Sequence, residues 1–314
     1  MAVELKKVKY GPFEDCLELS NGIARLVITV GFGPRIIYYG LEGGKNAFCN
    51  FEEQMADFST EEWKSYGGHR LWHAPEVYPR TYYCDCDPVE YKFEDGILIL
   101  TCKPETTTGL QKNIAVFLDD DSSRVEIRHS ITNTNCWSCE FSAWALSVMA
   151  AGTRAFIPQE DFVPHGHGEG QTLVPARPVV LWPFTRMNDH RLEWEDRYIG
   201  IKEDCTDKPV KIGVKNTKAT VVADGPGGIF IKTHDYFPED NYPDMGCNEE
   251  FFTIAGFLEI ETLSPLVSVQ PGEELEHFEF WRLEEGRLPD DPAEIAEAVQ
   301  KYVEEEREYD MQFC

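Results

Sequence analysis

Eleven consecutive residues, Tyr66-Gly67-Gly68-His69-Arg70-Leu71-Trp72-His73-Ala74-Pro75-Glu76, bring two imidazoles, a guanidinium, an indole and a carboxylate next to a Gly-Gly pair. An imidazole titrates close to neutral pH and can give or take a proton there. Glycines let a backbone approach a ligand closely, and loops on a rigid scaffold are where binding groups usually lie. A structural alternative stands beside this reading. The glycines would only turn the chain, Leu71 and Trp72 would fill core, and His69, Arg70, His73 and Glu76 would solvate a loop rim.

A second concentration of chemistry lies in Phe257-Leu-Glu259-Ile-Glu261-Thr262-Leu-Ser-Pro265. Read as a strand, its period of two sets Phe257, Glu259 and Glu261 on one face and Leu258 and Ile260 on the other. The two carboxylates are then ~7 Å apart along the strand. If that face lines a cleft, desolvation and mutual repulsion raise at least one pKa, as a general base near neutral pH requires. If it faces water, they are two solvated acids.

Other candidates are less pointed. Arg35, just after the Gly31/Gly33/Pro34 corner, reads either as a surface strand residue or as a ligand-facing guanidinium. Trp182-Pro-Phe-Thr-Arg-Met-Asn-Asp189-His190-Arg191 forms a second polar and aromatic rim, and Tyr236 to Glu250, including Asp244, reads as a loop without apolar periodicity. His165-Gly-His167 is half a metal site or a glycine-rich turn. Cys84-Asp85-Cys86 and Cys136-Trp-Ser-Cys139 are single knuckles, whereas a zinc centre wants two meeting in space. No metal or cofactor is expected, and the ten cysteines of a chain read as lacking a secretory leader are expected to be reduced thiols.

The elements that must hold these groups read as strands. Ile23 to Tyr39 is two strands joined at the glycine corner. Val89 to Phe93, Gly96 to Cys102 and Asn113 to Leu118 follow, and Arg124 to Ile131 alternates strictly, which makes His129 a core histidine. Phe141 to Gly152 stays open between a short helix and a tightly packed strand. Further strands are expected at 153–158, 198–201, 211–214, 219–223, 228–233, 267–270 and 275–283. Asp291-Pro292-Ala293-Glu294 then supplies an N-cap, a first-turn proline and a capping-box glutamate. Ile295, Ala298, Val299, Tyr302 and Val303 make the stripe of a helix over about 291–308.

Residues 1–314 are thus expected to form one all-β domain with a C-terminal helix. A 42% hydrophobic, 12% aromatic composition can fill a large core. The formal charge of -27 makes nucleic acid and anionic membrane surfaces poor partners. No run reaches the ~18 apolar residues of a membrane span, and a cytoplasmic location is expected. A local cationic pocket from Arg35, Arg70 or Lys232 could still receive an anionic ligand. Neither a phosphate loop nor a Gly-x-Ser-x-Gly elbow occurs.

The run Leu258-Glu-Ile-Glu261-Thr262-Leu-Ser-Pro, followed by a strand and Pro271-Gly272-Glu273, resembles the end of galactose mutarotase-like proteins, the aldose 1-epimerases. Together with the 66–76 stretch, Trp144-Ala-Leu-Ser-Val-Met, Asn188-Asp189 and Tyr242-Pro-Asp244, the likeness runs from about Glu18 to Leu283. It implies a β-supersandwich of antiparallel sheets with a carbohydrate cleft on one sheet. It also implies mutarotation, in which a base takes the anomeric hydroxyl proton while an acid protonates the ring oxygen. On that likeness Glu261 is the base, with Glu259 as the alternative, and His69 or His73 is the acid. Arg35, Arg70, Trp72, Glu76, Asp244 and Glu259 would hold a sugar or sugar acid. After Asn133 the chain reads Thr-Asn-Cys-Trp-Ser-Cys, without the second histidine of familiar members. The other readings are a non-catalytic sugar binder, a different sugar isomerase or lyase, and a metal-dependent enzyme using His165 and His167. Oligomeric state is not legible.

Overall fold

The computed structural model describes residues 2–55, 62–163, 165 and 175–313, with side chains to 309. Two antiparallel sheets dominate these residues. The 11-stranded sheet runs Glu4–Tyr10, Phe13–Ser20, Ala24–Thr29, Arg35–Leu41, Gly68–Ala74, Cys139–Ala150, Phe257–Leu263, Glu249–Ile254, Val210–Val214 and Val179–Leu181, with Val267–Val269 pairing onto the start of Cys139–Ala150. The 10-stranded sheet runs Leu192–Trp194, Tyr198–Lys202, Arg154–Pro158, Thr220–Gly225, Gly228–His234, Glu274–Glu284, Val125–Asn133, Leu110–Leu118, Ile97–Thr101 and Glu90–Glu94.

The sheets bury a shared core in which Leu26, Ile28 and Tyr39 of the first meet Val116, Ile127 and Trp281 of the second. The C-terminal helix, Pro292–Phe313, starts one residue later than expected and runs further. Asp291 caps it by accepting the amides of Ala293 and Glu294 at 3.0 and 3.2 Å. Its Ile295, Val299 and Tyr302 cover Phe156, Val222 and Ile231 on the outer side of the second sheet. Among the described residues no helix is long and apolar enough to cross a membrane.

Phe141 to Gly152 resolves as strand, Cys139–Ala150. It pairs with Gly68–Ala74 on one side and Phe257–Leu263 on the other, so two ladders use its backbone groups, which a helix would have withdrawn. Its small Ala143, Ala145 and Ser147 alternate with Trp144, Leu146 and Val148, and that alternation separates the two faces of the sheet. The last two residues of the segment read as loop, Glu249 and Glu250, already belong to the strand Glu249–Ile254.

Candidate active site

Register decides which side chains meet. Leu146 pairs with Arg70 on one flank and Glu261 on the other, and Glu261 pairs with Glu250, which pairs with Gly213. Arg70, Leu146, Glu261 and Glu250 therefore stand in one row on one face, facing away from the second sheet. Glu259 and Lys211 lie on that face one step along, because Glu259 pairs with Phe252 and Phe252 with Lys211.

Lys211 lies between the carboxylates, its Nζ 2.7 Å from Glu250 and 3.1 Å from Glu261. The ammonium also sits over the rings of Trp144 and Trp182, at 4.7 and 4.8 Å. Trp144 Nε1 donates to Glu261 Oε2 at 2.8 Å, and Arg70 pairs with Glu259 at 3.1 Å. Gly213 makes room for this packing, since a Cβ there would lie 2.6 Å from Cys247 Sγ and 3.2 Å from the Trp182 ring. Glu261, Glu250, Glu259 and Arg70 are all buried.

Burial pushes both carboxyls up. For Glu261, Lys211 works against the rise and Glu259 with it. Glu250 rises further: Lys211 again opposes, while Glu261 and Asp244 repel its charge. Burial alone would weaken the hold of Lys211 on its proton, but Glu261 and Glu250 outweigh it and the ammonium is held more tightly than usual. Several polar atoms on this face have no hydrogen-bond partner among the described residues: Arg70 Nε and Nη1, Glu261 Oε1, Glu250 Oε1 and Trp72 Nε1.

The histidines are on the other side. His69 and His73 are odd-numbered neighbours of Arg70 and Trp72, so the period of two turns them toward the second sheet, opposite Ser147 and Ala143. Both are buried, and neither can face Glu261 across a ligand. This corrects the assignment of either imidazole as the acid partner of Glu261. Burial, with Lys112 and Arg80 nearby, pulls His73 down to about 2.

His69 belongs to a polar network between the sheets whose protons can be placed from its partners. His129 Nδ1 faces the carbonyl of His277 at 3.0 Å and must donate to it, which leaves His129 Nε2 as acceptor for His69 Nε2 at 2.7 Å. His69 Nδ1 then accepts from the Ser147 hydroxyl at 2.9 Å. Lys232 donates to Ser147 Oγ, Ile260 O and Glu279 at 3.1, 3.2 and 2.7 Å. Trp281 Nε1 donates to Glu279 at 2.9 Å, and Thr262 links Glu279 to His277. Burial pulls His69, His129 and His277 down, consistent with neutral rings. His69, His129 and Glu279 carry metal-type donor atoms within 4.8 Å of one another. The hydrogen bonds already account for those atoms, and Lys232 supplies the cation.

Other expected ligands are displaced as well. Arg35 is buried, pairs with Asp85 at 2.8 Å and donates to Ser65 O at 2.6 Å, so it clamps the chain entering Gly68–Ala74 and does not face a ligand. Lys232 is interior. The Gly-Gly pair serves backbone packing: a Cβ at Gly67 would lie 2.1 Å from Cys49 O, and one at Gly68 2.5 Å from Ile36 O. Trp72 is enclosed by Trp63, Tyr82 and Trp144 at centroid distances of 5.1–5.4 Å and is no open stacking platform. Glu76 is exposed beyond the strand and accepts from Tyr82. Asp244 is half-buried at the rim, with φ 49°.

Cys84 and Cys86 form a disulfide, contrary to the expectation of reduced thiols, while Cys136 and Cys139 remain free. His167 lies outside the described residues. Beside Arg70 a cavity of about 50 Å³ is lined by Pro34, Tyr83, Asp85, Cys102 and Lys112. That is small against the ~300 Å³ of ordinary ligand pockets, and it does not reach Glu250, Glu261 or Lys211.

Lys211, Glu250 and Trp144 are the site members to which sequence reasoning gave no role, while Trp182 opens the second polar and aromatic rim that it named. The available signal was the Glu249-Glu250 pair at the head of Phe251-Phe252-Thr253-Ile254, which alternation splits between the two faces.

The architecture is that of galactose mutarotase-like proteins: two antiparallel sheets and a C-terminal helix. A Klebsiella pneumoniae protein carrying the provisional name aldose 1-epimerase superposes with a TM-score of 0.57 at 10% identity, over 96% of this chain and 87% of that one. A galactose mutarotase-like protein from Lactobacillus casei gives 0.53 at 11% identity over 86% and 100%. Slr1438 protein from Synechocystis gives 0.56 at 13% identity over 90% and 100%. No family model and no curated protein matches the sequence. At such identities the likeness is one of fold.

Proposed function

We propose that this protein is an aldose 1-epimerase-like enzyme that interconverts the anomers of a neutral sugar, with Glu261 as general base. The observation that carries the reading is the row of buried, incompletely hydrogen-bonded polar atoms on the outer face of the first sheet, centred on Glu261. Buried donors and acceptors without partners cost stability, about 1–3 kcal/mol each, and a ligand rich in hydroxyls would satisfy them. A carboxylate raised toward neutral pH is the base that removal of an anomeric proton needs.

The charges argue for a neutral sugar. Arg70 is paired with Glu259, Lys211 with Glu250 and Glu261, Arg35 with Asp85 and Lys232 with Glu279. Each of these cations already has a carboxylate partner, so the carboxylate or phosphate of an anionic sugar would have to compete with it, whereas the remaining Arg70 donors suit uncharged hydroxyls.

The test is exchange spectroscopy on 1-¹³C-labelled aldoses. Glu261→Gln should lose accelerated anomer exchange while keeping the far-UV and near-UV circular dichroism of the folded protein. Unchanged exchange in that variant defeats the reading. One observation favours a second reading, a carbohydrate binder without turnover: among the described residues no imidazole shares the face of Glu261. Sugar-induced thermal stabilisation with no acceleration of exchange by the wild type would select it.

A further inference from the structure

Mutarotation needs a proton donor as well as a base, and the histidines that would ordinarily be looked to lie behind the sheet. We infer that Glu250 is that donor, so that the acid and the base are two carboxyl groups on neighbouring strands. The inference rests on the preceding reading of Glu261.

Geometry singles Glu250 out. It is the registered partner of Glu261, and directly opposed side chains in an antiparallel pair have Cβ atoms ~5 Å apart. The anomeric hydroxyl and the ring oxygen share one carbon, so two carboxyls at that spacing can serve both oxygens of one sugar. Glu250 is fully buried, and its Oε1 has no hydrogen-bond partner among the described residues.

The groups around it divide the two roles. From the Val210–Val214 strand comes Lys211, from Phe257–Leu263 comes Glu261, and from the Pro243–Gly246 turn and its end come Asp244 and Cys247. One ammonium thus contacts two acids, and a third, Asp244, stands close enough to Glu250 to repel its charge. The ammonium cannot neutralise all of them, and the carboxyl nearest both of the others is the one that retains a proton. Glu261 has in addition the Trp144 indole donating to it, which favours its anion. Lys211 is the poorer donor, because the Glu261 carboxylate holds its proton in place.

The step balances within the site. Glu261 takes the proton of the anomeric hydroxyl, and the O–H electron pair becomes the second bond of the carbonyl. The bond from the anomeric carbon to the ring oxygen breaks, and the pair left on that oxygen takes the proton of Glu250. After rotation about the bond to the new aldehyde carbon, closure on the other carbonyl face reverses both transfers and restores both carboxyls.

Two measurements test this. In infrared spectra near neutral pH, the wild type should show a protonated-carboxyl C=O band that Glu250→Gln lacks. With labelled glucose, galactose and mannose as probes, Glu250→Gln should lower exchange by ~10²–10⁴, the usual worth of a positioned acid, and remove the alkaline fall of the pH–rate profile. A band that survives Glu250→Gln, or is absent from the wild type, overturns the inference whatever the sugar. Wild-type exchange and pH profile in Glu250→Gln, with exchange lost in Glu261→Gln, overturns the donor and leaves the base standing. Absence of exchange by the wild type overturns the base and the donor together.

Discussion

The sheet containing Gly68–Ala74, Cys139–Ala150 and Phe257–Leu263 has ionisable groups against both of its faces, the inward ones supplied largely by the second sheet, and the faces treat them differently. Inward, His69, His129, His277, Lys232 and Glu279 form a network in which donors meet acceptors, and the cation equals the anion in number. His73 is the exception there, with neither ring nitrogen partnered among the described residues. Outward, three glutamates share one lysine and one arginine, and several buried atoms lack partners among the described residues. A closed hydrogen-bond network rigidifies a core, whereas an incomplete one costs stability and keeps groups ready for a ligand. Residues 69 and 70, adjacent in the chain, fall on opposite sides of this division.

Predictions can break the comparison from either side. The largest effect should be on rate: Glu261→Gln lowers anomer exchange by ~10²–10⁴. The inward substitution Lys232→Met should instead act on stability. It leaves Glu279 buried without its cation, which typically costs about 3–5 kcal/mol, seen as a lower urea midpoint. Exchange per folded molecule should be retained. A Lys232→Met protein as stable as the wild type would mean that the inner network is not structural.

The faces should also respond to pH with opposite sign. The inner imidazoles have folded-state pKa values below the ordinary 6.5. Below that pH the unfolded chain takes up protons that the folded chain refuses. Stability is therefore lost on acidification from 6.5 downward, continuing toward about 2 for His73. Glu250 and Glu261 are raised above 4.5, so the folded chain keeps protons that the unfolded chain releases, and their contribution falls as pH rises from 4.5. Glu250→Gln should accordingly raise the melting temperature near neutral pH with little effect near pH 4. His73→Leu should reduce the loss between pH 7 and pH 5. Equal melting shifts for Glu250→Gln at both pH values would contradict a raised carboxyl.

The smallest effect belongs to Glu76, which ends the same eleven-residue stretch but lies exposed. Glu76→Ala should stay within about 0.5 kcal/mol of the wild type and leave exchange unaltered. A large rate loss there would extend the site beyond the row described.

Much of this architecture was legible in local pattern. The strict alternation of 124–131 correctly made His129 a core residue, and the Asp291-Pro292 cap marked the start of the helix to within a residue. The Phe141 to Gly152 segment was not legible, because a strand flanked on both sides by others reads as a continuous apolar run. Arg35 was ambiguous for a related reason. Its clamp on Ser65 and Asp85 depends on chain brought together from residues far apart in sequence.

By itself the sequence determined that Glu259 and Glu261 share a face, since a strand alternates wherever it is placed, but not that His69 and Arg70 lie on a strand and so part to opposite faces. Only the tertiary structure decided which of those faces lies against the second sheet, and that Glu261 stands in the row of Arg70 and Glu250, with Lys211 between the two glutamates. The physical reason is register. A shift of one residue between strands nearly 190 positions apart would exchange every partner without altering any local pattern.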